Sequence, residues 1–77
     1  MTRLPVLNAK RIEKVLLSLG FEPVRQKGSH VFYRHQDGRT TTLPFHAGRD
    51  IARPLLREIL KDIEFTADDL LAELDKL

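Results

Sequence analysis

The sequence predicts an α+β fold: a helix, a three-stranded antiparallel sheet, a second helix, then a short acidic third helix. Three observations carry this. Ile12, Val15, Leu16 and Leu19 recur at the i, i+3, i+4, i+7 spacing of an amphipathic helix. Three short strand-like runs follow, the last two joined across Asp37-Gly38, the strongest short hairpin signal. Leu55, Leu56, Ile59, Leu60 and Ile63 then form the apolar stripe of a second helix, with Arg57 and Lys61 facing out. Two helices on one face of a small sheet is a stable two-layer arrangement.

Residues 1–7 read as an extended lead-in, because Pro5 disfavours helix. Asn8 is a good N-cap, and Leu7 and Ile12 are spaced for a hydrophobic staple across it. The first helix covers 9–19, and Gly20 is placed to end it. Phe21–Gln26 is a short strand in which Pro23 suits an edge or a strand start. Lys27-Gly28-Ser29 turns the chain into the second strand, His30–His35. The third strand, Thr40–Leu43, stops at Pro44, and 45–50 form a loop carrying His46. Pro54 suits the first turn of a helix. Thr66 caps the third helix, 67–76, with Asp68 and Asp69 at its positive end and Leu70, Leu74 and Leu77 as its stripe. The same order of elements occurs in double-stranded-RNA-binding domains, which read A-form RNA by shape.

At 77 residues the chain is expected to be one domain, 1–77, near the size where a single core is only marginally stabilising. It has no cysteine, so disulfides and thiolate zinc sites are excluded, in keeping with a reducing cytoplasm. No apolar run approaches a membrane span and the first residues lack a signal-peptide core, so a cytoplasmic location is expected. The net charge of +2 conceals a division: residues 1–61 hold 12 Lys/Arg and 5 Asp/Glu, residues 62–77 hold 1 and 6. A basic body favours a polyanionic partner.

The chemistry centres on Gln26-Lys27-Gly28-Ser29-His30. Glycine allows a tight turn, and an imidazole that exchanges protons near neutral pH then stands at a strand mouth beside a lysine. That combination suits RNA cleavage, in which the 2′-hydroxyl must lose its proton before attacking phosphorus. Alternation puts His30, Phe32 and Arg34 on one face and Val31, Tyr33 and His35 on the other, and both sets contain apolar residues. Periodicity therefore leaves the buried face open. His35, on the opposite face, is a poor partner for His30, whereas His46 sits on a loop that can fold towards it. Arg25, Arg34, Arg39 and Arg49, with Lys10 and Lys14, are candidates for backbone phosphate contacts. The histidines lack ligand spacing and no carboxylates cluster near His30, so neither a metal nor any other cofactor is expected.

Over nearly its whole length the chain resembles the HicA toxins, small ribonucleases of bacterial toxin–antitoxin pairs. The matching features are Gly20-Phe21, Lys27-Gly28-Ser29-His30, Asp37-Gly38-Arg39, Pro44-Phe45-His46 and Leu56-Arg57-Glu58-Ile59-Leu60, in this order and spacing. Arg53-Pro54 departs from the pattern, since many members carry a glycine before the second helix. The resemblance implies a double-stranded-RNA-binding-like fold, mRNA cleavage with His30 as the catalytic residue, and neutralisation by a HicB-type antitoxin that largely sets the oligomeric state. On the residues themselves, Lys27 is placed to hold the scissile phosphate or offset charge developing at phosphorus. Gly28 shapes the turn, and Ser29 serves first as a turn-forming hydroxyl, with orienting His30 or touching the phosphate as its other roles. Two other classes stay open on the residues alone: a non-catalytic RNA-binding module and a protein-interaction domain.

Overall fold

A computed structural model describes residues 3–46 and 48–77. The first two residues of the expected lead-in, Met1 and Thr2, and Ala47 of the expected loop lie outside the described residues. Helix α1 (Ala9–Ser18) begins as its sequence dictates: the Asn8 side chain accepts a hydrogen bond from the Arg11 N–H at 2.9 Å. Leu7 and Ile12, on either side of that cap, are both buried. The helix ends in a Schellman motif, with Phe21 N–H bonding Leu16 C=O and Gly20 N–H bonding Leu17 C=O. Gly20 takes the left-handed conformation this requires, at φ +97°.

Strands β2 (Glu22–Lys27), β3 (His30–Arg34) and β4 (Thr40–Pro44) form an antiparallel meander in the order β2-β3-β4. Pro23 sits on the edge strand, where its missing N–H is tolerated, beside a bulge between Pro23 and Arg25. The buried face, left open by periodicity, is that of Tyr33, which is fully buried. Tyr33 lies opposite Thr41. The Tyr33 hydroxyl donates to Glu13 of α1, and the Thr41 hydroxyl donates to Asp62 at 3.0 Å. Asp62 ends helix α2 (Arg53–Asp62), so both helices cover the same side of the sheet. Leu16, Leu43 and Leu56, all with no exposed surface, meet in the core between the layers. Helix α3 (Ala67–Lys76) adds Leu70 to that core and starts with a full capping box between Thr66 and Asp69.

The fold is therefore α+β and double-stranded-RNA-binding-like, as expected, with one addition. Leu7–Asn8 (β1) pairs with Asp50–Ile51 (β5) in a two-stranded antiparallel ribbon, Leu7 opposite Ile51. So brief a pairing between distant segments leaves no local pattern in sequence. It ties the lead-in to the loop after β4.

Two apolar residues differ from the expected core. Leu55 is 38% exposed: it precedes Leu56 by one residue, about 100° around the helix, whereas Leu56, Ile59, Leu60 and Ile63 alone complete the buried stripe. Leu77, at the end of the third stripe, is also exposed. At the departure Arg53-Pro54, Ala52 is the extended N-cap and Pro54 sits in the first turn, where no N–H is needed. Arg53 Nε donates to the Leu4 carbonyl at 3.2 Å, which fixes the path into α2.

Candidate active site

The turn before β3 is a two-residue loop, Gly28-Ser29, closed by the opposed pair Lys27 and His30. Gly28 has φ +59°, the positive value that a type II′ hairpin requires at its first loop position. A side chain there would meet nothing within 4 Å, so glycine is used for its backbone conformation and not for close packing. Gln26 Nε2 donates to the Gly28 carbonyl at 3.1 Å and steadies the loop.

His30 is exposed at the start of the central strand. Phe32 and Arg34 continue its row along the side of the sheet away from the helices. Register sets Lys27 opposite His30 and Arg25 opposite Phe32. The Arg25 guanidinium stands 4.7 Å from the centre of the Phe32 ring, a cation–π contact. Arg34 lies at the other end of β3, roughly 13 Å along the strand from His30.

His46 comes to His30 because the β3–β4 ladder runs one step beyond Pro44. Phe45 N–H donates to the Ser29 carbonyl at 2.7 Å, and a turn closed by Arg49 N–H to His46 C=O at 3.1 Å follows. The two imidazoles stand edge to face, with centroids 6.4 Å apart and planes at 86°. Both border an open cleft of about 310 Å³ whose walls include Pro44, Arg49 and Leu55. A second hollow of about 630 Å³ adjoins it through His46 and Arg49 and reaches Lys10 on α1. The sequence gives no sign that Leu55 borders this site, because its spacing reads as core.

Other sequence candidates lie elsewhere. Arg39 is not brought to His30: its guanidinium bonds the Asp37 carboxylate at 2.8 Å, reaches the Ile63 carbonyl, and lies over the Phe21 ring. The Arg39 backbone N–H, ahead of its side chain, holds the Asp37 carboxyl below the usual range. Lys14 is exposed on α1. His35 serves the fold. Its Nδ1 accepts the Asp37 N–H at 3.1 Å and its Nε2 is 3.0 Å from the Leu19 carbonyl, which ties the end of β3 to the close of α1. The same Nδ1 is 3.0 Å from Asp37 Oδ1, an ion pair only in a protonated ring.

Among the described residues, no three His, Cys, Asp or Glu side chains gather as a metal-holding set. Nor is any described helix long and apolar enough to cross a membrane.

A family model described as the HicA toxin of bacterial toxin–antitoxin systems matches residues 9–65. No curated protein matches the chain. The matched stretch runs from α1 through α2 and takes in the Gly28-Ser29 turn, His30, the His46 loop and the cleft between them. The chain belongs to the HicA toxin family, and its role is that of the toxin in a bacterial toxin–antitoxin system.

Proposed function

We propose that this toxin is an endoribonuclease that cuts mRNA in the cytoplasm, with His30 as general base on the 2′-hydroxyl. The observation that carries the reading is the placement of His30: exposed, opposite Lys27, and at the edge of an open cleft. His30 takes the 2′ proton, O2′ attacks phosphorus, the bond to O5′ breaks, and O5′ takes up a proton. The products are a 2′,3′-cyclic phosphate and a 5′-hydroxyl. Lys27 holds the phosphate and offsets charge growing on its oxygens. Arg25, Arg34 and Arg49, with Lys10, contact neighbouring phosphates and set salt sensitivity. The 2′-hydroxyl is an internal nucleophile, so the reaction does not need a metal-bound water to supply one. A HicB-type antitoxin inhibits by covering the basic face around His30.

The Arg25–Phe32 pair beside His30 also favours a second reading, an RNA-binding module without catalysis, since guanidinium planes and aromatic rings are stacking surfaces for unpaired bases. Purified protein incubated with RNA in excess EDTA separates the two. The nuclease reading expects cleavage by the wild type and its loss in His30→Ala with unchanged circular dichroism. Intact RNA in both samples would leave the binding module.

A further inference from the structure

We propose that His46 is the general acid of the reaction, donating a proton to the departing O5′; this rests on the reading of His30 as the base. In-line displacement puts the entering and leaving oxygens on opposite sides of phosphorus, so two separate groups must serve them. The two imidazoles fit that need. Their centroids are 6.4 Å apart and their planes nearly perpendicular, so with hydrogen bonds of ~2.8 Å both rings reach one phosphoryl group at the mouth of the cleft. Both rings are exposed, so their pairing is not core packing.

The backbone holds this arrangement. The Phe45–Ser29 hydrogen bond fixes the departure of the loop beside His30, and the His46 carbonyl is held in turn by the Arg49 N–H. The charged groups bordering His46 are Lys10 from α1 and Arg49 and Asp50 from the loop and β5, and the other titratable ring there is His30 from β3. A bound phosphodiester would bring its negative charge against this largely cationic border, which includes Lys10 and Arg49.

The step balances without a co-reactant. The 2′-hydroxyl proton passes to His30, the O2′–P bond forms, the P–O5′ bond breaks, and the His46 proton passes to O5′. His30 ends protonated and His46 neutral, and exchange with water restores both.

The test uses two RNA oligonucleotides of one sequence, one with the ordinary bridging O5′ and one with sulfur in that position, whose thiolate leaves without protonation. His46→Ala is expected to cut the ordinary RNA about 100-fold more slowly than wild type and the thio substrate less than about 10-fold more slowly. His46→Gln, which hydrogen-bonds but gives up no proton, should match His46→Ala, whereas His30→Ala should fail on both substrates. Equal slowing of both substrates by His46→Ala, slowing of neither, or a wild-type rate in His46→Gln would overturn the assignment. Undiminished cleavage by His30→Ala would remove the base, and with it the underlying reading, whatever the His46 ratio.

Discussion

Tyr33 and Glu13 share a hydrogen bond that fastens the core side of the central strand to α1, three residues along that strand from His30. Tyr33→Phe removes the donor and leaves the half-buried Glu13 carboxylate poorly satisfied. The expected loss is about 1–2 kcal/mol, read as a lower urea midpoint.

The same bond fixes an alkaline limit. Burial, then the Glu13 hydrogen bond and charge, push the Tyr33 hydroxyl above its ordinary pKa. An unfolded tyrosine ionises near pH ~10. The contribution of Tyr33 is therefore complete below pH ~10 and is lost as pH rises from there through the folded value. Between pH 9 and 11 the wild type should lose more stability than Tyr33→Phe. Parallel stability curves would contradict this.

The helix ends give a pair of opposite predictions. Helix α2 closes in the same Schellman motif as α1, with Phe65 N–H to Leu60 C=O and Glu64 N–H to Lys61 C=O, but Glu64 occupies the left-handed position at φ 60°. Glu64→Gly should relieve that strain and raise stability by up to about 1 kcal/mol. Gly20→Ala should lower it by about 1–2 kcal/mol, because φ is +97° and a Cβ would come within 3.2 Å of His35 Nε2. Thermal melts of both variants check the pair.

These positions also show what sequence could reveal. Asn8, Gly20, Asp37-Gly38 and Thr66 act locally, through a cap or a turn, and the elements they bound appear where the pattern places them. Glu64 carries no such signal, since glutamate is not a residue that marks a helix end. The open face of β3 was hidden because Phe32 and Tyr33 put a large ring on each side, and only packing against Glu13 and the helices decides between them. The meeting of His30 with His46 depends on a hydrogen bond from Phe45 to Ser29 and on the β1–β5 ribbon, both contacts between distant segments. In sequence Arg39 is indistinguishable from an exposed cation, and only the fold brings Asp37 and Ile63 around its guanidinium.

Lys27 should affect the reaction and not the fold. Lys27→Ala, exposed beside the turn, is expected to reduce kcat/KM about 10–100-fold while leaving the melting temperature within about 2 °C. Rate measurements across a salt series should also give a shallower dependence for this variant. An unchanged rate would remove Lys27 from the site.

The antitoxin should compete with RNA. Co-expression with the product of the adjacent gene is expected to yield a stable complex in which cleavage is blocked, and added RNA should slow its assembly. A complex that forms but still cuts RNA at the free rate would contradict inhibition by covering His30.

The most direct measurement replaces a single ribose at a mapped cleavage position by 2′-deoxyribose and compares the two RNAs in EDTA, with product ends identified by mass. The account predicts a 2′,3′-cyclic phosphate and a 5′-hydroxyl from the all-ribose strand and no cut at the substituted position. Equal cleavage of both strands, or a 5′-phosphate on the product, would contradict attack by the 2′-oxygen and the part given to His30.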